Sequence, residues 1–352
     1  MYTLCGIAIT QGGGESLKTK LKGVSYAKWG YIFSIPFIVI FLLFSLYPTI
    51  YTTILGFTDC KGLNNTDWHF LDDPFANFKT ILDNNSFKTS LKNTVLIWVL
   101  NFTPQITMAL LLSAIFTSHR NEIKGKGFFK VVFYMPNIIT AASVAILFNS
   151  FFGYPVGPMN DIIVSVGEFL HKINILDEPT KPYNFLVYKV PAQLIVAFIQ
   201  FLTWYGNTMI VLISGILGIS PDIYEAAEID GSNGWQTFWK ITVPNLKTVL
   251  LYTLITSLVG GLNMYDIPKL FNEGGPDNAT LTTSVFIYNQ AFSGNYLYNR
   301  AAAASMILFA IIAILSAVLF WIMRDRDEAR IEKEKKLARK EAKKKEAMAR
   351  WR

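Results

Sequence analysis

Residues 190–221 read VPAQLIVAFIQFLTWYGNTMIVLISGILGISP, a run without a single Asp, Glu, Lys or Arg. A helix rising 1.5 Å per residue needs about 20 apolar residues to cross the ~30 Å hydrocarbon layer of a bilayer, and this run supplies them. Five more uncharged runs occupy 29–58, 93–118, 131–160, 248–265 and 301–323. One such run alone fits a buried core helix of a large soluble protein; six in one chain is the pattern of a polytopic membrane protein. Composition agrees, since charged residues are 16% of the 352, against about 25% in an ordinary soluble domain. The reading is an all-α chain: an N-terminal segment 1–27, six transmembrane helices over 28–323, and a charged tail 324–352.

Charge sets the expected orientation. Thirteen of the 32 Lys and Arg fall in 324–352, and Lys18, Lys20, Lys22 and Lys28 precede the first run or stand at its edge. Arg120, Lys124, Lys126 and Lys130 separate the second and third runs, whereas the first loop carries an excess of acid in Asp59, Asp67, Asp72, Asp73 and Asp83. Basic loops stay on the cytoplasmic side, so both termini are expected in the cytoplasm of a plasma-membrane protein. Parity puts the loop 220–244 there as well. Cys5 and Cys60 then lie on opposite faces and form no disulfide. Cys5 follows no apolar h-region, and Gly12, Gly13 and Gly14 read as a lead-in. The tail, dense in Glu, Lys, Ala and Arg, predicts a solvated helix; its interleaved acids and scarcity of aromatics argue against nucleic acid as a partner.

The chain lacks the means to drive or perform chemistry. No G-x-x-x-x-G-K-[ST] occurs, so there is no phosphate-cradling loop, and the run Lys124-Gly125-Lys126-Gly127 has the wrong spacing. His69, His119 and His171 are scattered among loops, giving no metal site, no catalytic pair and no resident cofactor. An ion-coupled secondary transporter is one function open to such a chain. Proton coupling, however, uses ionisable groups inside the membrane, and none falls within the six runs. Sodium held by carbonyls alone stays open.

The loop between the fourth and fifth runs reads SPDIYEAAEIDG from Ser220 to Gly231 and continues WQTFWKITVP from Trp235 to Pro244. Ser220 is a suitable N-cap with Pro221 at the first helical position. Gly231 is placed to end the helix in a left-handed conformation, and Pro244 to break a second short helix. Tyr224, Ile229, Trp235, Phe238, Trp239 and Ile241 are more apolar than a solvated linker requires. They pack on the spans or dock into a groove on another protein, where small Ala226 and Ala227 would allow close approach.

This loop resembles the EAA motif, E-A-A-x3-G-x9-I-x-L-P, of binding-protein-dependent ABC importer permeases. Glu225, Ala226, Ala227, Gly231, Ile241 and Pro244 match in register, and Val243 replaces the usual leucine. Tyr265-Asp266-Ile267-Pro268, Gly274-Gly275-Pro276 and the alanine run from Ala301 resemble the carbohydrate branch, the maltose, glycerol-3-phosphate and multiple-sugar permeases. The resemblance implies the type I importer permease fold. It also implies that the loop, including Tyr224 and Asp230, is a coupling helix for ATPase subunits. The implied partners are a second homologous permease, two ATPase subunits that bind ATP-Mg, and an external solute-binding protein. An importer of another solute, such as an amino acid or polyamine, belongs to the same class.

Sugars are neutral polyols, recognised by amides, hydroxyls and aromatic faces. Gln200, Trp204 and Asn207 form one helical stripe in the fourth run, and Thr94, Trp98, Asn101 and Gln105 another in the second. Thr253, Ser257, Gly260 and Asn263 follow in the fifth, and the resemblance adds Gly261. These residues line a solute path or hold the helices together by hydrogen bonds.

Overall fold

The computed structural model describes residues 27–63, 67–118, 123–294, 296–323, 334–335 and 337–338. The expectations for residues 1–26, for His119 and Arg120, and for all but four residues of the tail helix lie outside these. Residues up to Tyr51 form one unit and those from Thr52 onward another. The architecture is helical, and an antiparallel bridge between Thr58 and Phe70 stands apart from any strand.

Span one, Lys28–Leu55, has a π turn at Leu42–Leu46. Its cause is Pro48, which has no N–H for the carbonyl four residues back. The Tyr47 N–H reaches five residues back to Leu42 O instead. The same arrangement recurs at Phe238–Thr242, where the Val243 N–H meets Phe238 O just ahead of Pro244. Pro244 was expected to end the helix; the wider turn absorbs it, and the break falls at Leu246 (φ −82°, ψ 1°).

Spans two, four, five and six are Asn85–Thr117, Lys189–Leu217, Lys247–Asn272 and Tyr298–Met323. The third departs from the sequence reading, which predicts one span over 131–160. It is two helices, Lys126–Ile138 and Ala141–Phe151, bent by 87°. Ile139 and Thr140 are extended at the break, and the Thr140 hydroxyl caps the second helix by accepting from Ser143 N. Asn137 Nδ2 pins the break to span four by donating to Thr203 O at 2.7 Å. Both halves are apolar, so hydropathy alone passes over the bend.

Span five also exceeds its predicted limits of 248–265. Lys247–Leu262 is followed by a short helix, Asp266–Asn272, that carries the span past two ionisable residues. The expectation that no charge lies within the spans is therefore corrected. Asp266 opens the short helix, where its N-terminal dipole favours an anion. Lys269 Nζ donates to Asn289 Oδ1 at 3.2 Å and sits 5.4 Å above the Tyr288 ring.

Spans two and four make the most extensive helix pair. One buried cluster joins Ala109 and Leu112 to Met209, Leu212 and Leu246. A second joins Ile97 to Ala145, Val196, Ile199 and Phe271. Span four meets the first half of the broken span at Gly206, where an added Cβ would stand 2.9 Å from Phe133 O and 3.0 Å from Tyr134 Cα. Ala301, Ala302, Ala303 and Ala304 are all buried, the small-residue packing that brings membrane helices close. Asn299 Nδ2 beside them donates to Asn77 Oδ1 at 3.1 Å, and Asn77 Nδ2 to the carbonyls of Gly56 and Thr58. The free thiol of Cys60 is buried; burial, then the charge of Asp59, raises its pKa and keeps it unreactive.

Candidate functional site

The loop after span four folds as Pro221–Ile229 and Gly234–Thr237, the latter running on through the π turn to Asn245. Its first helix closes by a Schellman motif. The Gly231 N–H bonds Glu228 O at 3.0 Å and the Ser232 N–H bonds Ala227 O at 2.9 Å, with Gly231 at φ +77°. Ser220 is the N-cap residue, yet its hydroxyl bonds the Asp222 carboxylate at 3.2 Å rather than the helix N–H groups. The second helix opens with a capping box between Asn233 and Gln236. Tyr224 OH and Thr242 Oγ1, 3.2 Å apart, tie the two helices together.

The apolar surface divides in two. Ala227 is buried against the chain itself, so of the alanine pair only Ala226 is presented outward, which corrects the expectation that both serve close approach. Tyr224 and Ile241 are half-buried, and Glu225, Asp230 and Pro244 are exposed. Ile229 is 87% and Trp235 69% exposed, and the Trp235 and Trp239 rings meet edge-on at 5.6 Å. A soluble loop gains nothing by holding two tryptophans and an isoleucine in water.

Within the spans, a cavity of about 480 Å³ gathers most of the sequence-predicted path residues. Asn101 and Gln105 of span two, Gln200, Trp204 and Asn207 of span four, and Ser257 and Gly261 of span five all line it. Asn263 lies outside, in an adjoining cavity of about 360 Å³ that shares Gln200, Trp204 and Gly260 as walls. Tyr252, Thr256 and Thr208 line the larger cavity too and escaped the sequence reading. The spacing 252, 256, 260 was the available signal, one stripe beside 253, 257, 261.

Span two satisfies its polar groups within the protein. Gln105 Nε2 donates to Thr208 Oγ1 at 2.8 Å, Trp98 Nε1 to Ser257 Oγ at 3.3 Å, and Asn101 Nδ2 to its own Ile97 carbonyl at 3.1 Å. Thr94 Oγ1 pairs with Thr283 Oγ1 at 3.1 Å, away from the cavity. Asn263 Nδ2 likewise bonds its own helix, at Val259 O. Trp204 and Asn207 stand exposed at the cavity wall. The Gln105–Thr208 bond makes a measurable prediction: in a double-mutant cycle of Gln105→Leu and Thr208→Val, unfolding in detergent should give a coupling of about 0.6–1.7 kcal/mol. Strict additivity would mean that the bond does not hold the two spans.

The segment after span five is locked by hydrogen bonds that the sequence reading did not foresee. Asn93 Nδ2 donates to Asn278 O at 2.6 Å, Gln193 Nε2 to Ala279 O at 2.8 Å, and Asn149 Nδ2 to Phe271 O. Thr280 Oγ1 bonds Asn272 Oδ1 and Gly275 O inside the turn. Spans two, three and four thus all grip one backbone stretch at the end of the short helix.

Comparison with known proteins places this architecture. Residues 7–333 match the family model described as "Binding-protein-dependent transport system inner membrane component". The chain is 30% identical over 299 residues to the lactose transport system permease protein LacF of Rhizobium radiobacter, spanning 84% of this chain and 94% of that one. It is 28% identical to the multiple sugar-binding transport system permease protein MsmF of Streptococcus mutans, over 82% of this chain and 93% of that one. With the maltodextrin transport system permease protein MalC of Streptococcus pneumoniae it shares 30% identity over 87% of this chain and 72% of that one. A chain from the crystal structure of a bacterial ABC transporter that imports the acidic polysaccharide alginate has the same fold. Its TM-score is 0.68 at 22% identity, over 84% of this chain and 95% of that chain. With spans apolar enough to cross a bilayer, a helical hairpin after span four and a family match over nearly its whole length, this chain is a multi-pass membrane protein and belongs to the binding-protein-dependent transport system inner membrane component family.

Proposed function

We propose that this chain is one permease half of an ATP-driven importer, moving a sugar or oligosaccharide inward by alternating access. A second homologous permease completes the pore. Two ATPase subunits hold ATP-Mg and grip the loop 220–244, and an external solute-binding protein delivers the load. Both termini and the loop are then cytoplasmic, as the distribution of Lys and Arg argues. ATP binding draws the ATPases together and carries the helix Pro221–Ile229 with them, turning the cavity outward; hydrolysis resets it. The chain itself performs no chemistry.

The carrying observation is the exposed aromatic and aliphatic surface of Ile229, Trp235 and Trp239 on a rigid, doubly capped hairpin at the end of span four. The cavity fits a neutral polyol, since among the described residues amides, hydroxyls, Trp204 and Tyr252 line it with no Asp, Glu, Lys or Arg. The similar proteins named for lactose, maltodextrin and multiple-sugar transport support the solute class.

Reconstitution tests this directly. Vesicles holding the chain with its second permease, ATPases and binding protein should accumulate labelled oligosaccharide only with ATP inside the appropriate compartment. Vesicles holding the chain alone should show no uptake under a proton or sodium gradient. Gradient-driven uptake by the chain alone would replace the importer with a secondary carrier.

A further inference from the structure

The helix Pro158–Lys172 joins the broken third span to span four, at the end of span four opposite the 220–244 loop. At 100° per residue it presents three faces. Asn160, Ile163, Gly167 and Leu170 turn inward, with Asn160 and Gly167 fully buried. Asp161, Ser165, Glu168 and Lys172 form a polar face. Ile162, Val166, Phe169 and Ile173 form an apolar stripe between the two, each 47–61% exposed.

Two attachments hold this helix close to the ends of the spans. Asn160 Nδ2 donates to Gly153 O, two residues past the end of Ala141–Phe151, and Asn160 Oδ1 accepts from Tyr183 N, six residues before Lys189 opens span four. Gly167 abuts Thr180, so closely that a Cβ there would collide with it. Exposed Tyr154 precedes the helix in the chain and exposed Tyr183 and Tyr188 follow it, the residue type that gathers at membrane–water boundaries. Ile146 and Leu147, on the second helix of the broken third span, are exposed as well.

We propose that Pro158–Lys172 is an interfacial anchor, resting against the bilayer on the side opposite the 220–244 loop, with Ile162, Val166, Phe169 and Ile173 in the acyl–headgroup boundary. A helix pinned at the level where two spans leave the hydrocarbon has the lipid surface as its immediate neighbour. Its segregated apolar and charged faces match that of a peptide lying in the interface. The anchor would hold the bend of the third span and the entry of span four at a fixed depth, and it depends on membrane residence alone, not on the solute.

Collisional accessibility of spin labels tests this. Full-length protein lacking Cys5 and Cys60 (Cys5→Ser, Cys60→Ala) is given single cysteines by Val166→Cys, Phe169→Cys, Ser165→Cys or Lys172→Cys, labelled, and reconstituted in phosphatidylcholine vesicles. Labels at 166 and 169 should collide severalfold more with oxygen than with a water-soluble nickel chelate, and those at 165 and 172 the reverse. All four positions are exposed, so the labels displace no packed side chain; Ile162→Cys substitutes for any variant that fails to elute as wild type. Equal chelate access at all four positions would place the helix in water and end the proposal. Shielding of 166 and 169 from both reagents would assign the stripe to a protein partner and end it equally.

Discussion

Gly231→Val should uncouple the assembled transporter, leaving ATP hydrolysis at its basal rate with no stimulation by loaded binding protein. Gly231 sits at φ +77° and, its chain neighbours aside, none of the described residues has an atom within 4 Å of where a Cβ would be, so the cost is backbone strain and not a clash. A left-handed conformation costs an ordinary residue about 1–2 kcal/mol, and a β-branched one more. That is of the same size as the two Schellman bonds together, at about 0.5–1.5 kcal/mol each, so valine cancels what holds the helix end closed. The helix end therefore reopens, and the hairpin carrying Ile229 and Trp235 loses its angle. Because the strain is confined to an exposed loop, thermal unfolding of the purified subunit should be nearly unchanged. Gly231→Asn should retain most coupling, since asparagine tolerates this conformation. Glu225→Lys, a charge reversal on the exposed face, should weaken coupling without touching the cap. Full stimulation in Gly231→Val would remove the loop from the motor contact.

Gly206→Leu should prevent accumulation of folded protein, and Gly206→Ala should lower stability by about 1–3 kcal/mol through overpacking. Alanine normally gains up to about 1 kcal/mol over glycine in a helix, but here its methyl group meets backbone atoms at 2.9 and 3.0 Å, which cannot rotate aside. Overpacking wins, and spans three and four are wedged apart. Gly260→Ala is the control, because open space surrounds its added Cβ and the propensity gain should stand alone. Thermal unfolding of Gly206→Ala and Gly260→Ala beside wild type in one detergent, with the yield of folded Gly206→Leu, decides the matter. A Gly206→Ala protein as stable as wild type would mean that the broken span does not rest on span four at this point.

Much of the chain was legible without coordinates, and the particulars show why. The six apolar runs follow from transfer energetics that act residue by residue. The Pro221–Ile229 helix and the left-handed Gly231 follow from capping rules spanning a few neighbours. The reading went astray where a local rule met a distant neighbour. Pro244 did not end its helix, because a π turn absorbed it. Ala227 turned inward, held by packing that no spacing reveals. The third run looked uniform, yet a Thr140 cap and the bond from Asn137 to Thr203 O fold it at 87°.

The polar stripes show the same division. Sequence alone placed Asn101, Gln105, Gln200, Trp204, Asn207 and Ser257 on helical faces, because a helix repeats every 3.6 residues whatever surrounds it. Only the tertiary structure brought those faces to one cavity and separated Gln105, bonded across to Thr208, from Trp204 and Asn207, which stand open to it. The sequence by itself determined how many apolar segments the chain has and where its loop is capped. The packed helices decided which segment bends, which alanine is hidden and which amides are already satisfied. Propensity and hydropathy are properties of neighbours along the chain, whereas a bond such as Gln105 to Thr208 joins residues 103 positions apart, which only the fold brings into contact.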